Sequence, residues 1–159
     1  MKTIFTLALT LFTSLIFADS HIIVKQNGEK IEVNYVTTKD NTVFYSLPGS
    51  STVNEISLFA IDKVIDKKTN IILIDNHKAD ISGKKGYKNV QLITNNQTNG
   101  LHQGVALQTT IHKPKGQTKS DWIADASTRL KKQAAEQGFP FVVITNQTDS
   151  KLEAVAYNY

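Results

Sequence analysis

Apolar and polar residues alternate along much of the chain after residue 19, and this period of two predicts β-strands. The first hairpin is HIIVKQ followed by KIEVNYV, with Asn27-Gly28 between them. Asn-Gly favours the positive φ angles of a two-residue turn, so we expect these two segments to pair. Turn residues at 39–41, 48–51 and 67–70 separate the further apolar segments TVFYSL, STVNEISLFAIDKVI and IILI. Residues 19–75 therefore predict a small all-β meander or barrel.

A glycine- and lysine-rich connector at 76–88 precedes a second region, 89–159, in which strands flank one helix. The strands are NVQLIT, LHQGVALQTTIHK, FPFVVIT and KLEAVAYNY. Apolar residues spaced by three and four predict the helix, with Thr118 or Ser120 as its N-cap and Gly138 after its end. The apolar face of this helix consists of Trp122, Ile123, Ala126, Leu130 and Ala134. We expect an α+β protein whose second region is a ββαββ two-layer unit.

Two nearly identical phrases occur in the second region, ITNNQTNG at 93–100 and ITNQTDS at 144–150. We name them the first phrase and the second phrase. Alternating apolar residues precede each phrase, and a further strand follows each. Asn, Gln, Thr, Asp and Gly suit turns, so each phrase is predicted to end the first strand of a hairpin and enter its turn. The sequence therefore predicts two related hairpins, with the helix crossing over between them.

The first 18 residues predict a secretory signal peptide, with Lys2 before an apolar run and cleavage after Ala18. The run is shorter than the roughly 20 residues that span a bilayer, and no later segment is apolar enough. We therefore expect a periplasmic or secreted protein without a transmembrane segment after cleavage. The chain contains no cysteine, which excludes disulfides, thiolate metal sites and cysteine nucleophiles.

The charged residues indicate what the protein does not recognise. Eighteen basic residues stand against 14 acidic ones, and Arg129 is the only arginine. Specific nucleic-acid sites usually use the planar fork of arginine, so no specific nucleic-acid partner is expected.

Lysines cluster in two places, around residues 84–88 and 113–119, which we name the first lysine loop and the second lysine loop. These clusters predict a small-ligand or polyanion binder as an alternative function. The candidate residues are Lys84, Lys85, Tyr87, Lys88, Lys113, Lys115 and Lys119.

Catalytic patterns do not emerge from the sequence. It contains no HExxH or G-x-S-x-G pattern, and ten strand residues would separate His102 from His112 by roughly 33 Å. We therefore expect no metal, no cofactor and no enzyme, and an unrecognised hydrolase is the third hypothesis. In a regular strand, Val105, Leu107, Thr109 and Ile111 would share one face. The opposite side, which we name the polar face, comprises His102, Gln108, Thr110 and His112, and it is a candidate partner surface.

Parts of the chain resemble known groups of bacterial proteins. The stretch VKQNGEKIEVNYV, with its K-x-N-G-E turn, resembles a small all-β module of secreted proteins of unknown function. The segment ADASTRLKKQAAEQGFPFVVITNQTDSKLEAVAYNY is similar in layout to the YbjQ/RcsF and YdgH/BhsA/McbA groups. In both groups a helix of the form A-x-x-L-x-x-x-A-x-x-x-G precedes a buried strand, a turn and a closing strand. Leu130, Ala134 and Gly138 occupy the helix and stop positions.

This resemblance implies a non-catalytic envelope protein, tied to stress response or surface properties, that forms homo-oligomers. The RcsF type also implies a lipidated cysteine and disulfides, which this chain lacks. The similarity transfers no functional residue, because neither group has a catalytic motif to match. The sequence therefore predicts an exported, non-enzymatic envelope protein that acts by contact with another protein or an envelope component.

Overall fold

Ten strands in two sheets and one α-helix make up the described part of the chain, so the protein is mixed α+β and mostly sheet. The computed structural model describes residues 20–83 and 85–159. The predicted signal peptide, residues 1–18, and the predicted site residue Lys84 lie outside these ranges. Within them, no helix combines the length and apolar character needed to cross a bilayer.

The first sheet contains six strands, and every neighbouring pair is antiparallel. Its strands are β1 Ser20–Lys25, β2 Lys30–Lys39, β3 Thr42–Ser46, β4 Val53–Ser57, β5 Ile61–Asp66 and β6 Ile72–Asp75. Their order is β4-β3-β2-β1-β5-β6, so β1 to β4 form a meander and β5 returns to the other side of β1. The alternating pattern predicted a meander or a barrel, and β1 to β4 form a meander.

The connection between β4 and β5 requires the first sheet to be curled. Only Leu58–Ala60 lies between these strands, although they are four positions apart in the sheet. The four steps from Ser57 to Ile61 reach at most roughly 14 Å, whereas four strand spacings of a flat sheet measure about 19 Å. The sheet must therefore bend around its core, but β4 and β6 are not paired and the barrel stays open. The residues inside the bend are Ile23, Val33, Val43, Ile56, Ala60, Ile61 and Val64.

The two-residue hairpin turn that the sequence predicts at Asn27-Gly28 is found instead at Asp40-Asn41. Gly28 alone of the Asn27-Gly28 pair has a positive φ, 89°, so the predicted two-residue turn does not form there. The Asn27 side chain instead accepts the Glu29 N–H at 3.0 Å, which stabilises a longer turn. Asp40 and Asn41, with φ of 51° and 59°, form the tight two-residue connection between β2 and β3.

The second sheet has four strands with the order β7-β9-β10-β8. The elements of this region are β7 Gln91–Ile93, β8 His102–Thr110, α1 Lys119–Glu136, β9 Phe141–Gln147 and β10 Lys151–Asn158. The predicted hairpin of β9 and β10 forms, with the second phrase at its turn. The predicted hairpin of β7 and β8 does not form, because these strands lie on opposite edges of the sheet and β7 pairs with β9 in parallel.

Helix α1 covers one face of the second sheet, as its apolar stripe predicts. Thr118 is the N-cap and forms a capping box with Asp121, and Gly138 after the helix has a φ of 81°. Ala126, Leu130 and Ala134 are fully buried against the sheet, with Trp122 and Ile123 partly buried beside them. Burial of the apolar stripe, more than helix propensity, stabilises this helix.

An aromatic cluster joins the other face of the second sheet to the first sheet. Phe141 is 1 % exposed, and its ring centroid lies 5.2 Å from the rings of both Phe59 and Tyr159. Ile93 and Val143 complete the buried part of the cluster. The connection between β4 and β5 therefore shares a core with the strands of the second sheet.

The first phrase makes a second connection between the sheets. The Ser57 N–H on β4 donates to the Asn99 carbonyl at 2.8 Å, and the Asn99 side chain donates to Glu55 at 2.7 Å. Gly100, with a φ of 86°, packs so close to β4 that an added Cβ would lie 2.9 Å from Ile56 Cγ1. The residues predicted to enter a hairpin turn are instead a docking loop on the first sheet.

Candidate interaction surfaces

Three of the four predicted polar-face residues lie together. Gln108 pairs with Glu153 and Thr110 pairs with Lys151 across β8 and β10, and directly opposed residues of antiparallel strands share a face. Both are exposed, and exposed His112 follows two residues beyond Thr110. These side chains form a polar patch on the side of the sheet opposite α1.

His102 does not share this face, so its predicted placement is wrong. The register of β8 and β10 shifts between Val155 and Tyr157, after which His102 pairs with Asn158. This irregularity reverses the alternation, because one extra residue moves every following side chain to the other face. It lies beside Gly104, where any Cβ would be 2.1 Å from the Phe139 ring. Val105, predicted to share a face with Leu107, is 36 % exposed, whereas Leu107 is 6 % exposed.

The edge of the second sheet nearest this patch is covered by helix side chains. Arg129 Nη2 donates to the Thr110 carbonyl at 2.7 Å, and Gln133 Nε2 donates to the Gln108 carbonyl at 3.3 Å. Both carbonyls belong to the edge strand β8 and would otherwise be available to a further strand. The backbone carbonyls of Gln108 and Thr110 therefore have partners within the chain.

The second lysine loop surrounds the first turn of α1. Lys113 Nζ lies 5.8 Å from the centroid of the Trp122 ring, and Lys119 Nζ lies 3.6 Å from Asp149 Oδ1. The buried Trp122 Nε1 has no hydrogen-bond partner among the described residues, and a cavity of about 20 Å³ adjoins this ring. That volume fits about one water molecule. Lys115, between Lys113 and Lys119 in the sequence, is exposed.

The first lysine loop lies towards the other end of the helix. Lys85 and Lys88 are exposed, and Lys132 Nζ on α1 lies 5.0 Å from the Tyr87 ring centroid. Lys132 lies ten positions after Trp122 on α1, a rise of about 15 Å. The two predicted lysine clusters therefore remain separate and do not converge on one small-ligand site.

The charge is nevertheless distributed unevenly between the two regions. Residues 20–75 contain six basic and seven acidic residues, whereas residues 76–159 contain eleven basic and six acidic residues. The excess of positive charge therefore lies in the region of the second sheet, which carries both lysine loops along α1.

Carboxylates with perturbed pKa values serve structural roles. The Thr118 backbone N–H and hydroxyl lower the pKa of Asp121 in the capping box. Hydrogen bonds from Lys151 and Asn146 lower the pKa of Glu153 in the β9–β10 hairpin. Burial raises the pKa of Tyr159, whose hydroxyl accepts the Ala79 N–H.

In the described ranges, no three His, Asp or Glu side chains converge as metal ligands would.

The most exposed apolar segment is one that the sequence does not distinguish from a core strand. Ile71, Ile72 and Leu73 are 58 %, 47 % and 47 % exposed, and we name these three residues the apolar edge. They lie at and just before β6, the last strand of the first sheet. The run IILI predicts a strand but carries no signal that it becomes an edge, because edge position depends on strand order.

The three other sheet edges differ from the apolar edge. The edge of β8 is bonded by Arg129 and Gln133, and β4 is bonded by Asn99. The remaining edge strand, β7, is only three residues long. Short or covered edges are common protections against pairing with other chains. Among the described residues, no strand pairs with β6 on the side away from β5.

Comparisons with known proteins leave the family of this chain open. No protein-family model, no curated protein and no solved structure matches it. The resemblance to the envelope groups therefore remains a prediction from the quoted motifs.

Proposed function

We propose that the protein is an exported, non-enzymatic component of the bacterial envelope that acts by binding a protein through the apolar edge. The observation that carries the proposal is the exposure of Ile71, Ile72 and Leu73 at the end of a sheet. Apolar side chains clustered at an exposed strand edge lose contact with water when another chain covers them. An edge strand also offers backbone groups for main-chain hydrogen bonds with a partner.

Site-specific photocrosslinking in the cell that exports the protein tests this proposal. A photoreactive phenylalanine at Ile71 should give a discrete protein adduct, whereas the same probe at Val36 should not. Val36 is a matched control because it is 53 % exposed on β2 of the same sheet. Leu73→Asp in the Ile71 probe chain should abolish the adduct. Equal adducts from both positions, or none from either, would contradict the proposal.

The predicted export is tested separately on the same protein. N-terminal sequencing of the chain recovered from the periplasm or the medium should begin at Asp19. Recovery from the cytoplasm alone, with Met1 retained, would show that the protein is not exported.

Polyanion binding is the second candidate function, and the uneven charge favours it. Eleven basic residues against six acidic ones in 76–159 would attract an anionic polymer to the α1 side. The second lysine loop supplies three of these basic residues, Lys113, Lys115 and Lys119, and Lys119 is paired with Asp149.

Heparin chromatography distinguishes this candidate from a general charge effect. Changing Lys113, Lys115 and Lys119 together to Gln should lower the salt concentration of elution more than the same change at Lys30, Lys39 and Lys68. Both triple variants remove three charges from exposed side chains. An equal shift in the two variants would exclude a dedicated site at the second lysine loop.

A further inference from the structure

We propose that the partner of the apolar edge is a second copy of this chain, with the two β6 strands lying antiparallel across a two-fold axis. This inference rests on the proposed function and adds the identity of the partner. It follows from the apolar residues that reach the edge, the charges at the two ends of β6, and the cover over the other edges.

The apolar edge continues across the outer face of the first sheet. Ile22 on β1 pairs with Ile65 on β5, and Ile65 pairs with Ile72 on β6. Directly opposed residues share a face, so the three isoleucines form a strip that ends at the sheet edge. Ile22 and Ile65 are partly exposed, and Ile72 is 47 % exposed. A second copy at this edge would extend the strip and bury its exposed end.

Two charges beside β6, Lys68 and Asp75, favour the antiparallel arrangement of two identical strands. Within its own chain, Asp75 lies opposite Lys63 on β5, and its Oδ1 is 3.8 Å from His77 Nδ1. Exposed Lys68 lies in the turn before β6, and Asp75, whose side chain is 45 % exposed, is the last residue of the strand. Antiparallel copies place the Lys68 end of each strand beside the Asp75 end of the other. Parallel copies would place like charges together. Lys78, further along the chain, is held over the Tyr159 ring at 5.2 Å.

The fold also explains why the assembly would stop at two copies. Pairing of β6 with β6 uses the same surface on both chains and closes on itself. Head-to-tail growth would require β6 of one copy to pair with β4 of the next. On β4, the Ser57 N–H already donates to the Asn99 carbonyl of its own chain. A register irregularity between Ile72 and Ile74 limits the length of the backbone ladder. Side-chain burial therefore contributes most of the affinity, and the dimer should dissociate on dilution.

Sedimentation velocity over a concentration series, on the purified exported chain, tests the proposal. The wild-type protein should shift from monomer to dimer as its concentration rises. Leu73→Lys should raise the dissociation constant at least about tenfold, because it puts a charge in place of a leucine that the dimer would bury. Val53→Lys, at a 57 % exposed position of β4, should leave the dissociation constant unchanged. Circular dichroism confirms that each variant remains folded.

A charge exchange tests the antiparallel arrangement itself. Lys68→Glu and Asp75→Lys should each weaken the dimer, and the double variant should restore it. The two positions are seven residues apart along one chain, so their coupling within a single chain is strongly screened by salt. Rescue by the double variant therefore reports contact between chains.

The possible failures separate this inference from the proposed function. A monomer at every concentration, together with a crosslinked adduct to a different protein, overturns the second copy and retains the binding function. A monomer with no adduct overturns both. A dimer that Val53→Lys disrupts and Leu73→Lys does not would assign the contact to β4.

Discussion

The first phrase and the second phrase share nearly all their residues and have different structures. ITNQTDS ends β9 and forms the exposed turn of the β9–β10 hairpin. ITNNQTNG leaves β7, forms a short capping-box turn at 95–97 and docks on β4 of the other sheet. The strand after the second phrase pairs with the strand before it, whereas β8 and β7 lie at opposite edges.

Neighbouring structure accounts for this difference. Thr94 and Thr145 occupy equivalent positions, and both phrases are rich in residues that suit turns. At the first phrase, Gly100 permits a close approach to Ile56 that the equivalent residue, Ser150, would not permit. A turn-forming composition therefore predicts where the chain leaves a strand, but does not predict what the chain contacts next.

The largest effect is expected at Gly100, where the two phrases differ most. Gly100→Ala should destabilise the protein by about 2–4 kcal/mol, because it combines a left-handed backbone with a Cβ 2.9 Å from Ile56. Ser150→Ala, the matched change in the second phrase, should stay within about 0.5 kcal/mol at its exposed position. Urea denaturation measures both. Equal effects would show that the docking of the first phrase contributes little.

The strand residues before the phrases provide the second comparison. Leu92 is 43 % exposed and its equivalent, Val143, is 2 % exposed in the core between the sheets. Val143→Ala should cost about 2 kcal/mol, from lost burial and a residual cavity. Leu92→Ala should cost less than about 1 kcal/mol. A larger loss at Leu92 in urea denaturation would contradict the inter-sheet core described above.

A smaller difference is expected at Asn99 and its equivalent, Asp149. Asn99→Ala should cost about 1 kcal/mol, because it removes the hydrogen bond to Glu55 between the sheets. Asp149→Ala removes only an ion pair with Lys119 between two exposed side chains, and it should cost less than about 0.5 kcal/mol. Chemical denaturation in low and high salt checks the assignment. Only the Asp149 effect should fall at high salt.

The smallest effect concerns pH and the hairpin of the second phrase. Hydrogen bonds from Lys151 and Asn146 lower the pKa of Glu153 in the folded state. The resulting stability is therefore present above the unfolded pKa of about 4.3 and is lost as pH falls through the lower folded value. Glu153→Gln should flatten this part of the stability profile. A wild-type profile in the variant would assign the acid dependence to other carboxylates.

Local sequence by itself determined the elements with strong short-range signals. The alternating pattern places most strands, and the spacing of Ala126, Leu130 and Ala134 places the buried face of α1. Thr118 and Gly138 delimit the helix because capping uses atoms within a few residues. These signals also establish that the protein is α+β.

Tertiary structure alone decided which strands are neighbours and hence which surfaces are exposed. The parallel pairing of β7 with β9 separates β7 from β8, and the irregularity at Gly104 moves His102 away from Gln108. The strand order places IILI at an edge, where three of its apolar residues remain exposed. Pairing and register depend on contacts between residues far apart in sequence, so local patterns do not contain them. For that reason the sequence predicted the strand that carries the candidate surface, while the fold made it an edge.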